Sequence, residues 1–238
     1  MKKLVTTMLA CLAAVTFTLA QEQATQPDPK VLPMFGKVAK TEAQQKKDEQ
    51  FLKSSDASFT TRTEASKFFM ERGWEYLNEG QIDTAMYRFN LAWLLNPDSS
   101  DPYWAFGLVT VAKGNPTEAI TYYEKALSLQ PKNSLLLSDV ANCYLAQYEQ
   151  KPKKKMLKQA TEFIEKSIAA DAQNAYACMA MSRVQYHNQK YADAWTWLHK
   201  GRALNMTALD YNYLLTLIDK MPDPQGFFGE QTEPDQSE

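Results

Sequence analysis

Histidine occurs twice, cysteine three times and glycine eight times in 238 residues, and neither sign of charge dominates, with 26 Lys plus Arg against 28 Asp plus Glu. Each shortage removes a class. So few glycines, beside eleven prolines, exclude collagen-like and glycine-rich low-complexity chains. A net charge of −2 without a basic excess gives no electrostatic case for coating nucleic acid or anionic lipid. No CxxC occurs and no Cys/His group has metal-ligand spacing, so no metal or other cofactor is expected. The HExxH, Walker, GxGxxG and GxSxG patterns are absent as well. One long hydrophobic run exists, in the first 20 residues; the rest, in a chain 45% hydrophobic and 23% charged, reads as ordinary globular protein.

That run is read as an export signal spanning 1–20. Met1-Lys2-Lys3 supplies the positive start, Leu4 to Ala20 the apolar stretch, and Thr18 and Ala20 the small residues a signal peptidase accepts, so cleavage is expected after Ala20. Lys2 and Lys3 are its only charges, and losing them takes the net charge from −2 to −4. The alternatives are a retained anchor, for which the run is short against the roughly 20 residues of a span, and lipidation at Cys11 in Met8-Leu9-Ala10-Cys11. Cleavage at Cys11 would leave only Val5 to Ala10 as apolar core, below the roughly 7 to 15 residues required. The expectation is therefore an exported protein, periplasmic or extracellular, that touches a membrane only through its signal. Cys143 and Cys178 remain; both lie among apolar residues at helical spacing, where a free thiol behaves as a small hydrophobe.

The chain repeats itself every 34 residues. Leu94-Leu95-Asn96-Pro97 matches Ser128-Leu129-Gln130-Pro131, and Gly73, Gly80, Ala85, Phe89 and Ala92 recur as Gly107, Gly114, Ala119, Tyr123 and Ala126. A period in this range marks stacked units. Each unit holds two amphipathic helices: Phe69, Gly73 and Tyr76 share one face of the first, and Ala85, Phe89 and Ala92 one face of the second. Gly80 stops the first helix and Pro97 the second. Asn115-Pro116 opens the second helix of the next unit with a capping residue and a first-turn proline.

These residues resemble the tetratricopeptide repeat. Phe69, Gly73, Tyr76, Ala85, Phe89, Ala92 and Pro97 fit the family pattern, and so do Tyr103, Phe106, Gly107, Ala119, Tyr123, Ala126 and Pro131, with Thr110 departing at an aromatic position. A third unit runs from Leu137, Val140, Ala141 and Tyr144 to Ala160, Ile164 and Ser167, with seven residues inserted near Lys151 to Leu157. A fourth runs from Cys178, Met181 and Ser182 to Ala194, Leu198 and Gly201; Ala172 and Met206 stand where proline is usual. The resemblance implies an all-α, right-handed α-solenoid of about four helix pairs (66–99, 100–133, 134–174 and 175–208) with an apolar capping helix at 208–220. Before it, 21–65 is expected as a linker followed by a charged lead helix near Thr41 to Lys53; after it, 221–238 reads as a disordered acidic tail.

In this family the first helices line a concave groove, and the matching positions here are Met70, Trp74, Leu77, Trp104, Leu108, Asn142, Leu145, Met179, Arg183 and Tyr186, with Val111 and Ser138 between them. The resemblance thus implies a non-enzymatic scaffold that holds a protein or peptide segment against aromatic and methionine side chains. The Lys, Asn and Arg clamp of the chaperone-tail subset is absent: Met70, Trp74, Ala105, Leu135 and Asp139 occupy its positions. A second reading is assembly of an envelope complex through the repeat ends. A third, an enzyme or metal site using His187 or His199, has no partner nucleophile in the sequence. The lysines from Lys151 to Lys158 read as a solvated loop, with an anionic partner as the alternative.

Overall fold

Short polar side chains set where the helices begin. In the computed structural model, which describes residues 28–229, Thr61, Ser99, Asn115, Asn133 and Asn174 each accept a hydrogen bond from a first-turn amide. Ten α-helices follow: α1 (Glu42–Ser58), α2 (Arg62–Asn78), α3 (Ile82–Leu95), α4 (Ser100–Ala112), α5 (Pro116–Leu129), α6 (Ser134–Gln150), α7 (Lys154–Ala170), α8 (Ala175–His187), α9 (Tyr191–Leu204) and α10 (Tyr211–Lys220). No strand occurs among the described residues. The expected export signal, 1–20, lies outside them.

The pairs α2/α3, α4/α5, α6/α7 and α8/α9 pack as hairpins and stack in order, an all-α solenoid. Close approach within a pair depends on residue 73 or 107 having no side chain: a Cβ at Gly73 would lie 2.2 Å from the Phe89 ring, and one at Gly107 2.1 Å from the Tyr123 ring. In the third and fourth units Ala141 and Ser182 stand at that position, and the narrower Ile164 and Leu198 replace the ring. Gly80 (φ +76°) and Gly114 (φ +83°) end α2 and α4 in the left-handed region; Gln189 (φ +61°) does so after α8. In all three, two amides bond back to carbonyls of the last turn, closing the helix end.

The turn between units is the same with or without proline. Ser99 N–H to Asn96 O, Asn133 to Gln130, Asn174 to Asp171 and Ala208 to Asn205 are equivalent bonds, all 3.2 Å, so Ala172 and Met206 adopt the geometry that Pro97 and Pro131 adopt. The seven-residue insertion is not a loop. It lengthens α6 and α7 to 17 residues each, and only 151–153 separate them, so the lysines from Lys154 onward belong to the first turns of α7. An apolar side chain inside the insertion, Leu157, is buried and anchors this extra turn.

Both flanks differ from expectation. Residues 28–37, expected as part of an extended linker, form two 3-10 turns packed on α3. The cause is Asn90, fully buried on α3: its Nδ2 donates to Lys30 O (2.9 Å) and Leu32 O (2.8 Å), and its Oδ1 accepts from Phe35 N–H (3.3 Å). Met34, Phe35, Gly36 and Lys37 all take positive φ, a conformation costing about 1–2 kcal/mol per non-glycine residue that those contacts must hold. The lead helix α1 runs to Ser58 and packs Phe51 against Phe69 (centroids 5.3 Å). Residues 221–229 are not a loose tail: they fold back on α9, with Trp195 Nε1–H donating to Met221 O (3.0 Å) and Phe228 stacked over His199.

Candidate functional site

The first helices α2, α4, α6 and α8 form one face of the solenoid, and side chains tie them to one another. Trp104 Nε1–H on α4 donates to Asp139 Oδ2 on α6 at 2.7 Å. Arg183 on α8 donates to both oxygens of Glu149 on α6, and His187 Nε2 meets Glu149 Oε1 at 3.0 Å. Burial raises the Glu149 carboxyl, but the hydrogen bond from His187 and the Arg183 charge outweigh it and hold the group below its ordinary range. Asp139 has no such counter-charge among the described residues. Its apolar surroundings raise it to about 6, with the Trp104 hydrogen bond pulling the other way.

Of the residues expected to line this face, seven reach its surface and three do not. Trp74, Leu77, Trp104, Leu108, Asn142, Arg183 and Tyr186 are partly exposed. Met70, Leu145 and Met179 are core: Leu145 is fully buried, and Met179 lies against Gly201, where a Cβ would meet its Cε at 3.0 Å. A first helix packed against its own partner and both neighbouring units hides more than half of its circumference, so an i, i+4, i+7 stripe spans the edge of the free surface. The partly exposed set also splits by function. Trp74 packs edge-on against the core ring of Phe89 (4.9 Å), Arg183 is neutralised by Glu149, and Tyr186 sits in a ring cluster with His187, Tyr191 and Tyr213. The helix α1 packs at Phe69, leaving the contacts of Trp104 to α6.

Two surface side chains escaped the stripe argument. Leu135 and Tyr176, in the first turns of α6 and α8, are each 44% exposed. Their signal was a large apolar residue at the second position of a unit, next to a capping asparagine. Asn142, one turn beyond Asp139, makes no side-chain hydrogen bond among the described residues, so Leu135, Asp139 and Asn142 run along α6 as apolar, acidic and amide groups.

The histidines have structural surroundings. Arg202 Nε–H can only donate, so His199 Nδ1 accepts it (2.8 Å) and Nε2–H donates to Asp223 Oδ1 (2.7 Å); the ring clusters with those of Trp195 (5.3 Å) and Phe228 (6.1 Å), which also meet each other (6.2 Å). Cys143 and Cys178 are unpaired and buried, and burial pushes the Cys143 thiol up to about 12. Among the described residues no group of three or more His, Cys, Asp or Glu is placed to hold a metal ion, and no helix is long and apolar enough to cross a membrane.

Residues 100–133, the second unit, match the tetratricopeptide repeat family. That unit is a tetratricopeptide repeat. The chain's likeness to curated proteins is local: 32% identity over 76 residues to human protein O-mannosyl-transferase TMTC1, covering 32% of this chain and 9% of that one. To cellulose synthase operon protein C of Komagataeibacter sucrofermentans it is 31% over 64 residues, 27% of this chain and 5% of that one. The chain thus spans less than a tenth of either. Among solved structures it resembles PilF of Pseudomonas aeruginosa (TM-score 0.55, 22% identity, 67% of this chain and 68% of that one). It also resembles a thermophilic tetratricopeptide protein of Thermus thermophilus (0.57, 18%, 65% and 85%) and PilW, a type IV pilus biogenesis factor (0.54, 20%, 67% and 72%). At these identities the likeness is one of fold.

Proposed function

We propose that this protein is a non-enzymatic, exported scaffold whose first-helix face holds a segment of a partner protein. The observation that carries the reading is the apolar set of exposed Val111, Leu135 and Tyr176 and partly exposed Trp104 and Leu108, beside the amide of Asn142, which has no hydrogen-bond partner among the described residues. Apolar side chains supply affinity by leaving water, roughly 25 cal/mol per Å², and an amide satisfies the backbone of an extended segment. Removing Trp74 is a poor test, because its ring supports Phe89. Leu108→Gln with Val111→Gln changes the face without altering a fully buried side chain, Leu108 being partly buried against the core and Val111 exposed. Pull-down from envelope extract is expected to lose the partner with that double variant while far-ultraviolet circular dichroism stays unchanged; undiminished capture removes the face from the account.

Export rests on Met1-Lys2-Lys3 and the apolar run to Ala20. Mass spectrometry of protein recovered from cells is expected to find Gln21 as the amino terminus, and a retained Met1 or a lipid-modified Cys11 would overturn that.

One observation favours the second reading, assembly through the repeat ends. Tyr211 (63% exposed) and Leu215 (65%) lie on α10, beyond the last unit, with Leu204 and Met206 also exposed nearby. Deleting this helix would uncover the α9 core, so the informative variant is Tyr211→Lys with Leu215→Lys; end-to-end assembly predicts a smaller species by size-exclusion chromatography.

A further inference from the structure

We infer that the segment received on the first-helix face carries a basic side chain, with arginine favoured, that seats on the carboxylate of Asp139. This rests on the scaffold reading above and specifies the chemistry of the partner. Asp139 Oδ2 is fixed by the indole N–H of Trp104, across from α4. Oδ1 has no hydrogen-bond partner among the described residues and is not among the buried unpartnered atoms, so it faces the open surface. No lysine, arginine or histidine of the described residues pairs with it; Arg183 and His187, on the neighbouring first helix, are committed to Glu149.

The groups around Asp139 sharpen the case. Tyr123 on α5 and Cys143 on α6 lie behind it, and both are kept neutral by burial. A carboxylate in that setting is partly desolvated and has no counter-charge among the described residues, the circumstance in which an incoming cation gains most. Trp104 leaves an indole surface beside it, which suits a guanidinium better than an ammonium. Asn142 lies a turn further along α6 and exposed Leu135 a turn before, so the expected recognition element is a basic residue flanked by an apolar one on an extended backbone. The chain's own residues 230–238 contain four acids and no base, the wrong sign for this position.

Panning a random 12-residue phage-displayed peptide library on the full chain tests this. Recovered peptides are expected to share one Arg or Lys position. Asp139→Asn, which keeps an acceptor for Trp104, is expected to weaken them tenfold or more. Replacing the basic residue with norleucine should cost as much on the wild type and nothing further on the variant. Peptides that lose binding on Leu108→Gln/Val111→Gln yet share no basic position, or that bind Asp139→Asn equally well, would sink the cation site and leave the scaffold reading standing. Peptides indifferent to the Leu108/Val111 change, or no enrichment at all, would sink both. Recovered motifs that reproduce this chain's own sequence would replace a separate partner with a second copy.

Discussion

A hydrogen in place of a methyl group sets the distance between helices in the first two units. The Cβ of Gly107→Ala would lie 2.1 Å from the ring of Tyr123, so this substitution is expected to destabilise by about 2–3 kcal/mol, the upper part of the range for overpacked cores. Urea unfolding measures it, and adding Tyr123→Ile should recover part of the loss, because the third unit already pairs Ala141 with Ile164. Failure of the second change to restore anything would show that the ring is not what the methyl meets. Asp139 acts in the opposite direction. Its folded-state value near 6 lies above the ordinary 3.8, so the folded chain keeps a proton that the unfolded chain releases as pH rises. Stability contributed by the protonated form is complete below about pH 4 and lost between there and 6, by on the order of 2–3 kcal/mol. Asp139→Asn does not titrate; its advantage over wild type should grow from pH 4 to 6 and then level off. Parallel profiles for the two proteins would exclude the effect.

Helix ends make two further tests possible. Gln189 takes the left-handed position that Gly80 and Gly114 fill in the first two units. Gln189→Gly is expected to stabilise by about 1 kcal/mol, since the glycine removes the Cβ conflict that the present residue bears. The start of α7 is poorly provided for: Lys153 is its N-cap without a side-chain bond, Lys154 and Lys155 follow, and no acid stands in the first turn. Lys153→Asp should add about 1 kcal/mol through a restored cap and a favourable charge at the positive end of the helix dipole. Thermal unfolding of both variants, compared with a neutral exposed-site control, would decide. These elements also show what a sequence discloses. Gly73, Gly107, Phe89 and Tyr123 recur at a fixed interval because one steric constraint repeats, so the helix pairs were legible. The serines went unread: Ser66 and Ser100 each donate to a second-helix carbonyl 26 residues on, and Ser134 to Ser167 O, but a small polar residue at a helix start reads as a cap. The first-helix face was half legible, since periodicity locates a stripe and only packing separates its exposed edge (Trp104, Leu108) from its buried one (Leu145, Met179).

At the scale of the molecule, both ends of the solenoid are covered by segments whose composition conceals them. The turns at 28–37 are held from 55 to 60 residues away by Asn90 on α3, with Lys113 Nζ also donating to Val31 O (3.2 Å), and a proline-rich stretch held by scattered distant side chains carries no periodic signal. The segment 221–229 looks acidic and loose, yet one acid organises it. Asp223 accepts from His199 Nε2–H and from the amides of Gln225 (2.9 Å) and Phe228 (2.9 Å); burial raises the carboxyl, but those backbone amides and His199 outweigh it and keep it below its ordinary range. Removing that acceptor strands buried donors and frees Phe228 from the His199 ring. Asp223→Ala is therefore expected to cost about 2 kcal/mol. A solenoid transmits stability chiefly between neighbouring units, so the damage should stay local. Amide exchange is expected to accelerate in α9, α10 and 221–229, and Trp195, fully buried beneath the segment, should redden in fluorescence, while α2 and α3 exchange as before. Acceleration along the whole chain would mean that the four units unfold as one body and that the segment's contribution is global.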